Sequence, residues 1–193
     1  MGNQKKKIAW GITGSGDRLV EIVDTMKAVK ERHRNELEIR VYLSKAGEQV
    51  IKRYKLMEEL QENFGRISVE IDSNSPFLAG ALQMGRYEFL LIAPATSNTV
   101  AKISTGIADS LLTNAAIMGL KAFVPTYLMP SDYKVGVITT LLPGGKELKL
   151  RIRKEDVEHV KKLSAMDDIF ILESPEDLHK TFKDFLKDSS KRA

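Results

Sequence analysis

Short apolar runs alternate along the chain with longer segments in which apolar residues recur every three or four positions. The short runs are typical of strands and the longer segments of helices. The run Phe89-Leu90-Leu91-Ile92-Ala93 is unbroken, as expected of a strand buried on both faces of a parallel sheet. Strands are predicted at 7–12, 38–43, 67–71, 89–93, 122–129, 135–142, 146–153 and 169–172. Helices are predicted at 18–34, 46–64 in two pieces, 75–84, 98–119 with a bend or break at Gly106, 154–166, and from 174 onward.

The alternation of strands and helices predicts an α/β fold. It favours a Rossmann-like or flavodoxin-like, doubly wound, mostly parallel sheet between two layers of helices, which makes three layers. Pro143-Gly144-Gly145 is a strong hairpin signal between two of the later strands. We therefore expect a single domain over residues 1–193, with a C-terminal β-hairpin insertion at about 134–153.

Composition and charge narrow the class of protein. Hydrophobic residues make up 42% and charged residues 29% of the chain, which predicts a globular rather than a disordered protein. The net charge is +4, and five positive charges lie at the termini, so the rest of the chain is near neutral; they are Lys5, Lys6, Lys7, Lys191 and Arg192. No nucleic-acid partner is therefore expected. The absence of cysteine excludes thiolate metal sites and disulfides, and no metal site is predicted. No signal peptide and no run of the roughly 20 apolar residues needed to span a bilayer is found, so we expect a cytoplasmic protein without membrane contact.

Small polar residues follow three of the predicted strands. Gly11-Ile12-Thr13-Gly14-Ser15-Gly16 leads from the first strand to the first helix, but Leu19 stands where the dinucleotide-binding fingerprint has its third glycine. Ser44 ends the second strand, and Thr96-Ser97-Asn98-Thr99 follows the fourth. Each loop also has a purely structural explanation: a turn that needs glycine, Ser44 as a helix N-cap, and Ser97 or Asn98 as another.

The coincidence of the three loops favours a binding site. In a doubly wound sheet they would lie side by side at the carboxyl edge, where open α/β sheets bind ligands. A helix that starts there presents free N–H groups and the positive end of its dipole to an anion. Hydroxyls and backbone N–H groups can solvate a phosphate without lysine. The sequence therefore predicts a site for a phosphorylated cofactor.

A long string around the fourth strand closely resembles the signature of a known family. It runs Ala93-Pro94-Ala95-Thr96-Ser97-Asn98-Thr99-Val100-Ala101-Lys102-Ile103 and continues in Gly106-Ile107-Ala108-Asp109-Ser110-Leu111-Leu112-Thr113. The family is that of the homo-oligomeric flavin-containing cysteine decarboxylases (HFCD), whose pattern is Pro-Ala-Ser-Ala-Asn-Thr, a helix, and Gly-Ile-Ala-Asp-Asn-Leu-Leu. Ser97 here replaces the usual alanine and Ser110 the usual asparagine. The Gly-Ile-Thr-Gly-Ser turn and Ser44 match as well, so the resemblance covers about residues 7–129.

The resemblance implies an FMN cofactor on a Rossmann-like fold, in a trimer or a multiple of trimers, with the flavin near a protomer interface. Polar contacts to the flavin are expected from Ser97 and Asn98, and contacts at the phosphate end from Ser15 and Thr99. Asp109 is expected to support the site, although helix capping or ion pairing explains it equally well. The full set of cofactor-binding residues implied is Gly14, Ser15, Gly16, Ser44, Thr96, Ser97, Asn98, Thr99 and Asp109.

The family pattern fails where decarboxylation needs it. The family's decarboxylases carry a histidine on the short helix before the signature strand, where this chain has Gly80. They carry a Pro-x-Met-Asn-x-x-Met-Trp substrate clamp after the fifth strand, whereas Pro125 here is followed by Thr126-Tyr127-Leu128-Met129-Pro130. The flavin prenyltransferase branch has Pro-Arg-Glu at that place. The three histidines of the chain are predicted at the surface, and no catalytic residue is assigned; they are His33, His159 and His179.

What remains resembles the archaeal electron-transfer flavoproteins and dihydromethanopterin reductases of the family. That branch implies reduction by a ferredoxin, and an acidic ferredoxin could be steered by basic residues of the hairpin region, namely Lys146, Lys149, Arg151, Arg153 and Lys154. A solvated surface balanced by neighbouring acidic residues explains this patch equally well. Electron transfer to an unidentified acceptor is therefore the main hypothesis. The alternatives are a flavin-dependent reductase of a pterin-type substrate, a decarboxylase with an unrecognised base, and a non-catalytic flavin-binding module.

Overall fold

The computed structural model describes residues 5–190 and is built on a six-stranded parallel sheet. Its strands are β1 (Lys6–Ile12), β2 (Leu37–Leu43), β3 (Ile67–Val69), β4 (Phe89–Ala95), β5 (Thr126–Pro130) and β8 (Ile169–Ile171). Their order is β3-β2-β1-β4-β5-β8, and every neighbouring pair is parallel. The predicted fold class is therefore confirmed. Lys191 and Arg192, two of the terminal charges, lie outside the described residues.

Eight helices cover both faces of the sheet within residues 5–190. One face carries α1 (Leu19–Arg32), α2 (Lys45–Arg53), α3 (Met57–Phe64) and α8 (Pro175–Ser190), and the other carries α4 (Leu78–Gln83), α5 (Ser97–Thr105), α6 (Leu111–Leu120) and α7 (Lys154–Ser164). The apolar stripe of α1 illustrates the packing, because Ile22, Met26 and Val29 are all buried against β-strand residues. Apolar strand residues alternate between the two cores, which gives the predicted three layers.

The helices that follow β1 and β4 lie on opposite faces of the sheet. These two strands are neighbours, but α1 follows β1 on one face and α5 follows β4 on the other. The connections diverge there and leave a crevice outside the carboxyl ends of the strands, which is the usual ligand position in such sheets. The fold therefore places the β1 and β4 loops at this point.

Of the boundaries that differ from the sequence prediction, two have a clear cause in the backbone. The segment predicted as one helix over 98–119 is divided into α5 and α6, because Gly106 has a φ of 80° and caps α5 in the left-handed region. The fifth strand starts at Thr126 rather than at residue 122. Ala122 and Phe123 continue the end of α6 through N–H bonds to the carbonyls of Gly119 and Leu120, at 2.9 and 3.1 Å. These residues are apolar, and the predicted strand therefore started too early.

The predicted hairpin forms a separate antiparallel ribbon. Its strands are β6 (Gly136–Leu141) and β7 (Glu147–Ile152), and the ribbon begins shortly after β5 leaves the carboxyl edge of the sheet. Val137 and Leu150 are 68% and 45% exposed, whereas Ile152 at its base is buried. Among residues 5–190, no helix has both the length and the apolarity that crossing a bilayer requires.

Candidate functional site

The predicted polar loops lie side by side at the carboxyl edge of the sheet. Strands β2, β1, β4 and β5 are consecutive neighbours and all run in the same direction, so the segments that follow them meet at one edge. The predicted proximity of the first, second and fourth loops is therefore confirmed, and the β5 loop is added to it.

Thr13 connects the β1 loop to the β4 loop. Its N–H and its hydroxyl both donate to the Pro94 carbonyl, at 3.2 and 2.8 Å, and its hydroxyl accepts from the Thr96 N–H at 2.9 Å. The Thr13 residue is only 2% exposed. A buried hydroxyl that donates to one loop residue and accepts from another fixes the relative position of the two loops. Sequence reasoning gave this residue no role of its own.

The loop after β5 joins the same network. The Ser131 hydroxyl donates to the Ser15 hydroxyl at 2.7 Å, and the Ser131 N–H donates to the Ala95 carbonyl at 3.0 Å. The Ser97 hydroxyl donates to the carboxylate of Asp132. Sequence reasoning missed Ser131 and Asp132, although they could have been found by the rule that selected the other loops, since they directly follow a buried strand.

The sequence comparison with the decarboxylase clamp also used the wrong segment. Thr126–Pro130 is β5 itself, so the residues after the fifth strand are Ser131, Asp132 and Tyr133. These also lack the asparagine and tryptophan of the clamp. The absence of the clamp therefore stands, but its position moves to the residues after Pro130.

Thr96 forms the start of α5. Its side chain accepts from the Thr99 N–H at 3.3 Å, and the two hydroxyls lie 3.0 Å apart. Thr96 is thus the N-cap, and the expected capping role of Ser97 or Asn98 is wrong. The cap satisfies Thr99 alone among the first N–H groups, so those of Ser97 and Asn98 point out of the helix start without a helical acceptor. Asn98 is exposed and Thr99 is buried.

The residues predicted on the β1 and β2 loops pack against α2. The Ser44 hydroxyl accepts from the Gly47 N–H at 2.9 Å, so Ser44 is an N-cap in this structure. A Cβ on Gly14 would lie 2.7 Å from the Cβ of Ala46, and one on Gly16 would collide with the Tyr54 hydroxyl. The glycines therefore permit a close approach of α2 to the loop.

Glu70 links two helix starts near this edge. Its carboxylate accepts from the Lys45 N–H of α2 at 3.0 Å and from the Leu111 N–H of α6 at 3.1 Å. A fixed carboxylate between two helix N-termini is stabilised by both dipoles. Sequence reasoning did not select Glu70. Asp109, which precedes α6, is exposed and forms an ion pair with Lys102 at 2.8 Å.

The histidines lie away from the loop network. Gly80 is buried in α4, and a side chain there would have to displace the exposed Phe77 ring, which lies against it. His159 on α7 is half-buried and hydrogen-bonded to the Ser104 hydroxyl at 2.8 Å, at the end of α5 opposite to Thr96. His33 and His179 are half-buried as well, so none of the three is the fully solvated side chain that was predicted.

A cleft of about 460 Å³ borders the loop network. Pro94 and Ser131 lie at one side of it, and Asp17, Val137 and Ile152 line it further out. Burial raises the pKa of the Asp17 carboxyl, and the positive charge of Arg18 lowers it by less. The negative charges of Asp132 and Glu21 raise it further. A larger cleft of about 1150 Å³, beside α8, contains none of the candidate residues.

Three comparisons with known proteins agree with this architecture. Residues 2–180 match the family model described as Flavoprotein. An uncharacterized protein of Methanocaldococcus jannaschii is 49% identical over 174 residues, covering 90% of this chain and 92% of the relative. The dihydromethanopterin reductase (acceptor) of the same organism is 32% identical over 235 residues, covering 91% of this chain and 95% of the relative. The crystal structure of Burkholderia xenovorans DmrB in complex with FMN, described as a cubic protein cage for redox transfer, superimposes with a TM-score of 0.81 at 28% identity, covering 96% of this chain and 98% of that one.

Proposed function

Because the chain belongs to the Flavoprotein family, we propose that it binds FMN at the carboxyl edge of its sheet and uses the bound flavin to transfer electrons. A flavin supplies redox chemistry that amino-acid side chains lack, and the protein's part is to bind and orient it. The observation that carries the proposal is the hydrogen-bonded junction of the β1, β4 and β5 loops. It lies where the connections after β1 and β4 go to opposite faces of the sheet. DmrB, which superimposes over nearly its whole length, is a complex with FMN.

The chemistry of the loops fits a phosphorylated flavin. The N–H groups of Ser97 and Asn98 at the start of α5 offer donors and a positive dipole end to an anion. The Asn98 amide is exposed and can donate and accept at the edge of a ring that carries both kinds of group. Glu70 already occupies the starts of α2 and α6, which directs an anionic group towards α5 instead.

We assign roles to the residues of the site on these grounds. Ser97 and Asn98 contact the flavin, and Ser15 and Thr99 contribute at the phosphate end. The remaining residues shape the loops: Gly14 and Gly16 let α2 approach, Ser44 and Thr96 cap their helices, and Asp109 pairs with Lys102.

A reduced ferredoxin is the proposed electron donor. Lys146, Lys149 and Arg151 are exposed on the hairpin, and Lys154 follows it. Arg153 is held in an ion pair with Asp156 at 2.6 Å. These exposed cations lie on or directly after a ribbon that starts at the loop network, so they can attract an acidic protein to the neighbourhood of the flavin.

A second candidate function is the reduction of a pterin-type substrate. It is supported by the name of the dihydromethanopterin reductase (acceptor) at 32% identity and by the cleft beside the loop network. We further propose a homo-oligomer, because the hairpin leaves Val135, Val137 and Leu150 exposed and DmrB is a cage of many copies. Decarboxylation of cysteine-terminated substrates is disfavoured, since neither the histidine nor the clamp is present.

The proposal is tested first by the colour of the purified protein. We expect flavin absorbance bands and the release of FMN on denaturation. A colourless protein that takes up no added FMN would overturn the assignment. Anaerobic mixing with reduced ferredoxin should bleach the flavin, and a flavin that stays oxidised in this test would instead indicate a non-catalytic binding module.

A further inference from the structure

The cleft beside the loop network has the features of a small-molecule site of its own. Its volume of about 460 Å³ lies in the range of small-molecule pockets. Ile22 of α1 lines one side, and Val137 and Ile152 of the hairpin line another. None of the nine proposed flavin residues lines it, but Pro94 and Ser131 do, so the cleft shares a border with the loops that hold the proposed flavin.

Polar and apolar groups both line the cleft, and Asp17 gives it a hydrogen-bond acceptor. Its N–H donates to the Ser15 hydroxyl at 3.2 Å, whereas its carboxylate has no hydrogen-bond partner within residues 5–190. The guanidinium of the neighbouring Arg18 donates to the Glu173 carbonyl at 3.0 Å and makes no hydrogen bond to Asp17. Burial raises the pKa of the Asp17 carboxyl, as expected of a partly desolvated carboxylate to which no neighbouring group donates a hydrogen bond among residues 5–190.

A ligand with two adjacent N–H groups would supply those donors. A carboxylate binds such a pair through two parallel hydrogen bonds, which fixes the orientation of the ligand as well as its affinity. The apolar side chains on the two sides of the cleft suit the faces of a flat ring. A planar nitrogen heterocycle with an amino group beside a ring N–H meets both requirements.

We propose that this cleft binds a planar heterocycle of the pterin type, and that Asp17 accepts hydrogen bonds from its ring N–H and its neighbouring amino group. The inference rests on the proposed function and deepens it, because it gives the substrate of a flavin-dependent reductase a position next to the flavin loops. Asp17 acts here as a specificity-determining residue.

The test compares two pteridines that differ in the donor pair. Pterin (2-amino-4-oxopteridine) has the amino group beside a ring N–H, and lumazine (2,4-dioxopteridine) has a carbonyl in its place. Each is titrated by calorimetry into the FMN-loaded protein and into the FMN-free protein. The variants are Asp17→Asn and Val137→Trp, which fills the cleft from the exposed hairpin. Asp24→Asn is the control, because it removes an exposed charge on α1 that lies outside the cleft and pairs with Lys27.

We expect the unaltered protein to prefer pterin to lumazine by about tenfold to a hundredfold, as hydrogen bonds to a charged group allow. Asp17→Asn should abolish the preference, Val137→Trp should weaken the binding of both ligands, and Asp24→Asn should change neither the preference nor the affinities; FMN retention should be unchanged in all three. Equal affinity for the two pteridines, a preference that survives Asp17→Asn, or no binding to an FMN-loaded protein would overturn the cleft assignment and leave the flavin proposal intact. A protein that takes up no FMN but shows the Asp17-dependent preference would overturn the flavin proposal alone.

Discussion

The hydroxyl of Thr13 offers the sharpest test of how the site is constructed. Thr13→Val keeps the shape of the side chain but removes the group that donates to the Pro94 carbonyl and accepts from the Thr96 N–H. Pro94 keeps the Thr13 N–H as a donor, whereas the Thr96 N–H loses its acceptor in a partly buried position. The variant therefore loses two hydrogen bonds and leaves one donor unsatisfied.

The expected loss of unfolding free energy is about 2–3 kcal/mol. Each hydrogen bond contributes about 1 kcal/mol net, and the unsatisfied Thr96 N–H adds a cost near the low end of its usual range of about 1–3 kcal/mol because that group is only partly buried. Thr13→Ser is the matched control, because it keeps the hydroxyl and removes one buried methyl group, for about 1 kcal/mol.

Urea unfolding of the FMN-free protein at fixed concentration measures both variants, and Trp10 is a suitable reporter. It is the only tryptophan, and its indole N–H donates to the Ala93 carbonyl at 2.8 Å, next to the Thr13 contact. Thr13→Val should lower the midpoint well below that of Thr13→Ser. If the serine variant is as unstable as the valine variant, the methyl packing rather than the hydroxyl connects the two loops, and the reasoning is refuted.

Three further predictions use other parts of the site and the fold. Glu70→Gln should lower the unfolding free energy by about 1–2 kcal/mol, since two helix N-termini lose a charged acceptor, while Glu88→Gln at an exposed position should leave the urea midpoint unchanged. Asn98→Leu should weaken FMN retention in dialysis but leave the stability of the FMN-free protein unaltered, because Asn98 is exposed; equal retention would show that the site is misplaced. Arg153 lowers the pKa of the Asp156 carboxyl below its usual 3.8. The ion pair therefore stabilises the fold above pH 3.8, and this stability is lost as the pH falls through the lowered pKa of Asp156. Asp156→Asn should therefore reduce the fall of the urea midpoint between pH 5 and pH 3, and an unchanged pH profile would contradict the role of this ion pair.

The course of the chain could be predicted because each element carries its own local pattern. Phe89–Ala93 is apolar without interruption and lies in the centre of the sheet, and the Pro143-Gly144-Gly145 turn joins two strands of the hairpin. Where a local pattern misled, a backbone feature was responsible. Ala122 and Phe123 are as apolar as a strand, but their N–H groups are bound to the end of α6.

The contacts of the site could not be predicted in the same way, because they depend on which strands become neighbours. Thr13 and Thr96 are 83 residues apart in sequence, and Ser15 and Ser131 are 116 apart. Local propensity contains no information about pairs so distant. The loops could be selected as polar ends of buried strands, but the partner of each hydroxyl follows from the strand order and register.

The same network explains why a cofactor site can exist before the cofactor arrives. The β1, β4 and β5 loops are connected by bonds of the protein to itself, through Thr13 and through the Ser131 hydroxyl, so the proposed binding of FMN does not have to order them. Ordering a flexible loop side chain on binding costs roughly 0.5–1.5 kcal/mol of binding free energy, and a site that is already ordered avoids this cost. Within residues 5–190, the N–H groups of Ser97 and Asn98 at the start of α5 have no helical acceptor, and the Asn98 side chain is exposed. A ligand that satisfied them would therefore gain affinity without disturbing the loops, and weakening the loop network should lower FMN affinity even where no contact residue is changed.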